Sequence, residues 1–173
     1  MKSWDDYLEF EKKHKENPVE TRKFFKWVLD RYGQEIVSNR FESALEIGAG
    51  ISGGYIGILD NIKRKTNLDI LYGDIKIKAE EMDFSDEIFD LVIISNTLDH
   101  CEFPDLVAKQ IYRVLKKEGL LFLFNYFDED ENHPHSYSNS SQILVLFPKM
   151  EVVKLDEMRK TKRGPFVVAT LKK

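Results

Sequence analysis

The chain has 173 residues, with 26 basic and 30 acidic side chains for a net charge of −4, and 42% of its residues are hydrophobic. One domain of this length buries a core that needs no covalent staples, and the balanced charge argues against a broad nucleic-acid partner. Cys101 is the single cysteine, so no intrachain disulfide can form, and no apolar run approaches the roughly 20 residues that span a bilayer. The polar stretch Met1 to Lys15 lacks a signal-peptide core, and a cytoplasmic protein is expected. The tail is the exception in charge: Lys149 to Lys173 carries eight basic and three acidic residues. Its Arg159-Lys160-Thr161-Lys162-Arg163 run reads as a solvated turn or a phosphate contact.

In chain order, residues 3–14 and 18–38 read as helices and form an N-terminal helical cap over residues 1–40, ahead of a core over 41–173 in the same domain. Ser3 caps the first helix. Asn17 caps the second, with Pro18 in its first turn. Phe24, Phe25, Val28, Leu29 and Tyr32 recur at helical spacing, as a face against a sheet or as a lid. Trp4, Tyr7 and Phe10 are candidate substrate-side aromatics. Residues 43–47 form the first strand, which ends in Gly48-x-Gly50-x-x-Gly53. That spacing turns a buried strand tightly while leaving its backbone open to a ligand. Residues 53–65 then read as a crossover helix with Tyr55, Ile56, Leu59 and Ile62 inward and Lys63, Arg64 and Lys65 at its end.

Leu68 to Tyr72 reads as the second strand, followed by Asp74. A strand at Tyr55–Leu59 ending on Asp60 would leave too little chain for a parallel crossover. Only fourteen residues, 75–88, separate Asp74 from the next apolar strand, too few for a helix and a strand. The second crossover helix is therefore expected to be missing, and the edge third strand missing or reduced. Further strands are predicted at 89–95 and 119–126, with a helix over 104–117 between them. Ser138 is read as the cap of a helix running through Phe147 and stopped by Pro148, followed by an antiparallel pair at 151–155 and 165–171.

Phe89-Asp90-Leu91-Val92-Ile93-Ile94-Ser95-Asn96 and Arg113-Val114-Leu115-Lys116-Lys117-Glu118-Gly119-Leu120-Leu121, in that order after the glycine turn, resemble the class I S-adenosylmethionine-dependent methyltransferases. The resemblance covers roughly residues 41–127. It implies an α/β Rossmann-like doubly wound sheet, mostly parallel with a C-terminal antiparallel hairpin. It also implies S-adenosylmethionine as cofactor. The absence of an appended recognition domain favours a small-molecule acceptor, and a missing edge strand leaves a sheet edge open to a second copy of the chain.

Ligands bind such sheets beyond the carboxyl ends of the strands. Gly48, Ala49 and Gly50 lie there, and Glu46 suits the cationic amino end of the cofactor but would repel a pyrophosphate. Asp74 suits a ribose diol, since one carboxylate accepts two hydroxyl protons. Ala79, Glu80 and Met82 match the family's adenine loop, although Lys78 stands where the family has an acid. Ser95 and Asn96 end the fourth strand of the family pattern, where cofactor and substrate meet.

For catalysis the candidates are His100, which resembles a histidine frequent in the family or else packs its loop, and His133, His135 and Tyr137 in the loop after the fifth strand. His133-Pro134-His135 is not a specific metal-ligand spacing, and no metal site is expected. The alternative function is a catalytically silent methyltransferase-like scaffold. A nicotinamide-dependent oxidoreductase fits less well, because Glu46 adjoins the glycine turn.

Overall fold

The computed structural model describes residues 17–127, 133–161 and 164–173. Helices α1 (Pro18–Tyr32) and α2 (Gln34–Val37) lead into β1 (Phe41–Ile47) and β2 (Ile62–Leu68). Then come β3 (Phe89–Ser95), α3 (Pro104–Val114), β4 (Leu115–Tyr126), α4 (Ser140–Leu144), β5 (Glu151–Met158) and β6 (Phe166–Lys172). The strands form one six-stranded sheet in the order β2-β1-β3-β4-β6-β5. The pairs among β1 to β4 are parallel, and β6 runs antiparallel to both β4 and β5. This is the expected Rossmann-like architecture with its antiparallel hairpin.

Alternating side chains of the central strands feed two apolar layers, as a parallel sheet covered on both faces requires. Leu45, Ile47, Val92, Ile94, Leu121 and Leu123 meet Val107, Ala108 and Ile111 of α3. On the opposite face, Ala44, Leu91, Ile93, Phe122 and Phe124 meet Phe24, Val28, Leu29 and Tyr32 of α1. Fully burying one such valine, isoleucine or phenylalanine stabilises the fold by about 1.5–3 kcal/mol. α1 thus packs on the sheet. α1 ends at Gly33 rather than running to residue 38, and α2 continues after that break.

The largest correction lies between β1 and β3. Residues 53–65 are not a crossover helix: the link holds only a 3-10 turn at Ile56–Ile58, and Lys63, Arg64 and Lys65 belong to β2. Gly48, Gly50, Gly53 and Gly54 all have positive φ, at 74°, 59°, 75° and 65°, a left-handed path that a right-handed helix cannot follow. The inward residues were nonetheless the right ones. Tyr55, Ile56, Leu59 and Ile62 are all buried, with Tyr55 stacked on Phe25 at 4.2 Å.

The second strand is therefore Ile62–Leu68, not Leu68 to Tyr72. Its polar sequence suits a sheet edge, where charged side chains deter pairing with another chain. As expected, no helix separates β2 from β3 except a 3-10 turn at Ala79–Glu81. The third strand is reduced to one parallel bridge between Leu68 and Ile75. Smaller shifts occur further on. α3 stops at Val114 and β4 begins at Leu115, so residues 115–117 are strand. α4 is capped by Asn139 rather than Ser138 and ends at Leu144. The readings on residues 3–14, with Trp4, Tyr7 and Phe10, lie outside the described residues, as do Asp128 to Glu131, Lys162 and Arg163. Among the described residues no helix is long and apolar enough to cross a membrane.

Candidate active site

Beyond the carboxyl ends of β1, β2 and β3 the chain encloses a cavity of about 440 Å³. Gly48 to Gly50 form one wall, Asp69 to Tyr72 a second, and Ser95 to Thr97 a third. Thr21, Phe24 and Phe25 of α1 close the side facing the cap, so this helix both packs on the sheet and lines the cavity. Arg22 ties the two together by donating from Nε to the Ser52 carbonyl at 2.9 Å.

Gly48 is required by packing as well as by its φ of 74°. A Cβ there would overlap the Thr97 hydroxyl. That hydroxyl is engaged with the Ser95 carbonyl at 2.8 Å and approaches the Ile47 carbonyl at 3.3 Å, linking the ends of β1 and β3. Asn96, at φ 46°, accepts the Tyr126 N–H through Oδ1 at 2.9 Å and ties β3 to the end of β4. Thr97 carries no sequence motif of its own. Its position directly after Ser95 and Asn96 was the available signal.

The acid beyond β2 is Asp69, which the sequence reading placed inside a strand. Its Oδ2 accepts the Gly50 N–H at 3.0 Å, and Oδ1 accepts the N–H groups of Leu71 and Tyr72, both at 2.8 Å. One carboxylate thus joins the glycine turn to the turn after β2. Asp74 is corrected: it is exposed, lies outside the cavity lining, and its carboxylate faces the Asn67 N–H at 3.3 Å.

Glu46 is corrected too. Its carboxylate sits beneath the glycine-rich link and does not line the cavity. Oε1 accepts the Tyr55 N–H at 2.8 Å and Oε2 the Ile56 N–H at 2.7 Å. A Cβ at Gly54 would overlap that carboxylate. Burial pushes the Glu46 carboxyl from its ordinary 4.5 up to about 7, against the pull of the two amide bonds.

Of the adenine-loop residues, Ala79 and Glu80 line the cavity and Met82 does not, being buried in the core beneath. Glu80 Oε1 accepts the N–H groups of Glu102 and Phe103 at 2.8 and 3.1 Å, fixing this loop to the start of α3. Lys78 also lines the cavity, with its ammonium 3.3 Å from Glu102 Oε2. Ser95, Asn96 and Ala49 are at the cavity wall.

Among the catalytic candidates, only His100 reaches the cavity wall. His133 stands behind it, with ring centroids 4.2 Å apart. His135 turns to the Glu102 carbonyl at 3.3 Å, and its N–H donates to the Asp99 carbonyl. Tyr137 is buried, and burial together with the Asp99 charge pushes its phenol up, so it is no base near neutral pH. Cys101 lines the cavity as a thiol. Burial raises its ionisation well above the ordinary range, and Sγ donates to the Thr97 carbonyl.

The profile of the family described as a methyltransferase domain matches residues 45–123. The chain superimposes on the N-methyltransferase NodS from Bradyrhizobium japonicum, solved with S-adenosyl-L-homocysteine. The TM-score is 0.68 at 15% identity, covering 87% of this chain and 86% of that one. The 1,6-didemethyltoxoflavin-N1-methyltransferase of Burkholderia thailandensis gives a TM-score of 0.67 at 15% identity, covering 92% of each chain. The cyclase SpnF gives 0.69 at 14% identity, covering 88% of this chain and 80% of that one. No curated protein matches the chain in sequence. The methyltransferase-domain match over residues 45–123 and the shared sheet make the chain similar to the class I S-adenosylmethionine-dependent methyltransferases in fold.

Proposed function

We propose that the cavity binds S-adenosylmethionine and that the protein transfers its methyl group to a small molecule. The observation that carries this reading is Asp69, an acid beyond β2 held against the glycine turn of β1 at the cavity wall. We take this carboxylate to accept one ribose hydroxyl. Its two oxygens offer about four lone-pair sites, and three backbone amides leave one to spare. The cavity volume falls within the range of small-ligand sites.

When bound, S-adenosylmethionine supplies an electrophilic methyl group, and the protein's work is positioning and exclusion of water. The Gly48 to Gly50 backbone leaves room for close approach, and Ala79 and Glu80 present backbone on the adenine side. Phe24, Phe25 and Tyr126 supply apolar surface for the acceptor. A base is needed only when the acceptor arrives protonated, and His100 is the imidazole on the wall. A second reading is a binding protein without methyl transfer. It is supported by Lys78, which cannot accept the hydrogen bond that an acid at that position would, and by the cyclase that shares the fold.

Calorimetric titration with S-adenosylmethionine and S-adenosylhomocysteine tests the site. We expect one molecule per chain. We expect Asp69→Ala to weaken binding by about 1–3 kcal/mol, the scale of hydrogen bonds to charged groups. Asp74→Ala should leave it unchanged. Equal affinity in a folded Asp69→Ala variant would remove the ribose assignment. Binding without turnover across a panel of acceptors would favour the second reading.

A further inference from the structure

At and behind the cavity wall three groups converge, of which the proposed function uses only His100, as a base. Asp99, His100 and His133 each offer one donor atom, and all three lie within 4.8 Å of one another. The Asp99 Oδ2 atom is 3.3 Å from His133 Nδ1 and 3.9 Å from His100 Nε2. The Asp99 side chain is only 4% exposed, and those of His100 and His133 are 18% and 12% exposed.

We propose that Asp99, His100 and His133 form a binding site for a divalent transition-metal ion of the zinc type. Asp99 Oδ1 is buried and accepts no hydrogen bond among the described residues. A cation bound at this carboxylate offsets the cost of burying it, and imidazole nitrogens are the commonest ligands for such an ion.

The spacing fits the chemistry. Donors bound at about 2.0–2.1 Å around a tetrahedral ion stand roughly 3.4 Å apart. The 3.3 Å separation already matches, and the 3.9 Å separation needs to close by about half an ångström. Two imidazoles and one carboxylate suit zinc, cobalt(II) or iron(II) rather than magnesium or calcium, which prefer all-oxygen cages. Three protein donors leave a position open, the arrangement of reactive rather than purely structural sites.

Because His100 belongs both to this cluster and to the cavity wall, an ion here borders the cavity. Its use in catalysis rests on the proposed methyl transfer. An acceptor hydroxyl or thiol on the ion would lose its proton more readily, and His100 would act as a ligand instead of a base. The metal site itself stands on the cluster alone.

The test uses the full chain, stripped with a chelator and titrated with cobalt(II), then with zinc in competition. We expect one equivalent of cobalt, with the ligand-field absorption of a low-coordinate N/O site, displaced by zinc. Asp99→Asn and His133→Ala, shown folded by circular dichroism, should lose at least the roughly 10- to 100-fold in affinity that even outer partners of a metal site cost. Should His133→Ala fail to fold, His133→Asn replaces it. Absence of cobalt bands, or zinc binding equally to wild type and both variants, overturns the site. Neither result depends on whether S-adenosylmethionine binds, which the calorimetric titration decides separately.

Discussion

Single side chains carry most of what the sequence could not assign. Glu46 lies two residues before the glycine turn, and its strand position puts it on the α1 face of the sheet beneath the link, away from the ligand side. Its raised ionisation makes stability depend on pH. The folded state holds the Glu46 proton more tightly than the unfolded chain, so this stabilisation is complete below about pH 4.5 and is lost as pH rises to about 7. We expect urea denaturation to show a decline of at most about 3 kcal/mol across that window, and Glu46→Gln to flatten it. A wild-type profile as flat as the variant's would count against the buried acid. Gly48 gives a second test. Gly48→Ala forces a β-carbon onto the Thr97 hydroxyl at a left-handed φ, and we expect about 1–3 kcal/mol of destabilisation. Equal stability would mean that the turn relaxes freely.

At the scale of elements, strands and helices with a clean apolar period were legible. β1, β3 and α3 fall where the pattern put them, to within a few residues, because buried faces impose that pattern directly. The link between β1 and β2 was not legible as a conformation. Tyr55, Ile56, Leu59 and Ile62 satisfy helical spacing, yet the same burial is reached by a glycine-rich turn and a 3-10 segment. The three cations that suggested a helix end are consecutive exposed residues of an edge strand. The start of α1 was read correctly through its cap. Asn17 Oδ1 accepts the N–H groups of Val19 and Glu20 at 3.1 and 3.4 Å. Asn17→Ala should cost about 1 kcal/mol in chemical denaturation. Because Thr21 and Phe24 follow in the cavity wall, it should also weaken cofactor binding. A variant with unchanged stability would show that water replaces the cap.

For the whole molecule, loss of the third strand makes β2 an edge, and its defence is charge: Lys63 and Glu42 pair there with both side chains largely exposed. Replacing Lys63, Arg64 and Lys65 with threonine should promote edge-to-edge association, seen as growth in light scattering on concentration. Monodisperse behaviour of the triple variant would assign no protective role to those charges. From sequence alone came the family resemblance, the missing helix before β3, the C-terminal hairpin and the glycine turn. Each depends on chain length or on residues close together along the chain. Only the tertiary structure decided which acid closes the cavity, where Glu46 points, and that Asp99, His100 and His133 meet. Those outcomes turn on contacts between distant segments, such as Thr97 against Gly48, Phe25 on Tyr55 and His133 against Asp99. No local window of sequence contains both members of such a pair, so the side that a residue faces is settled by what packs against it.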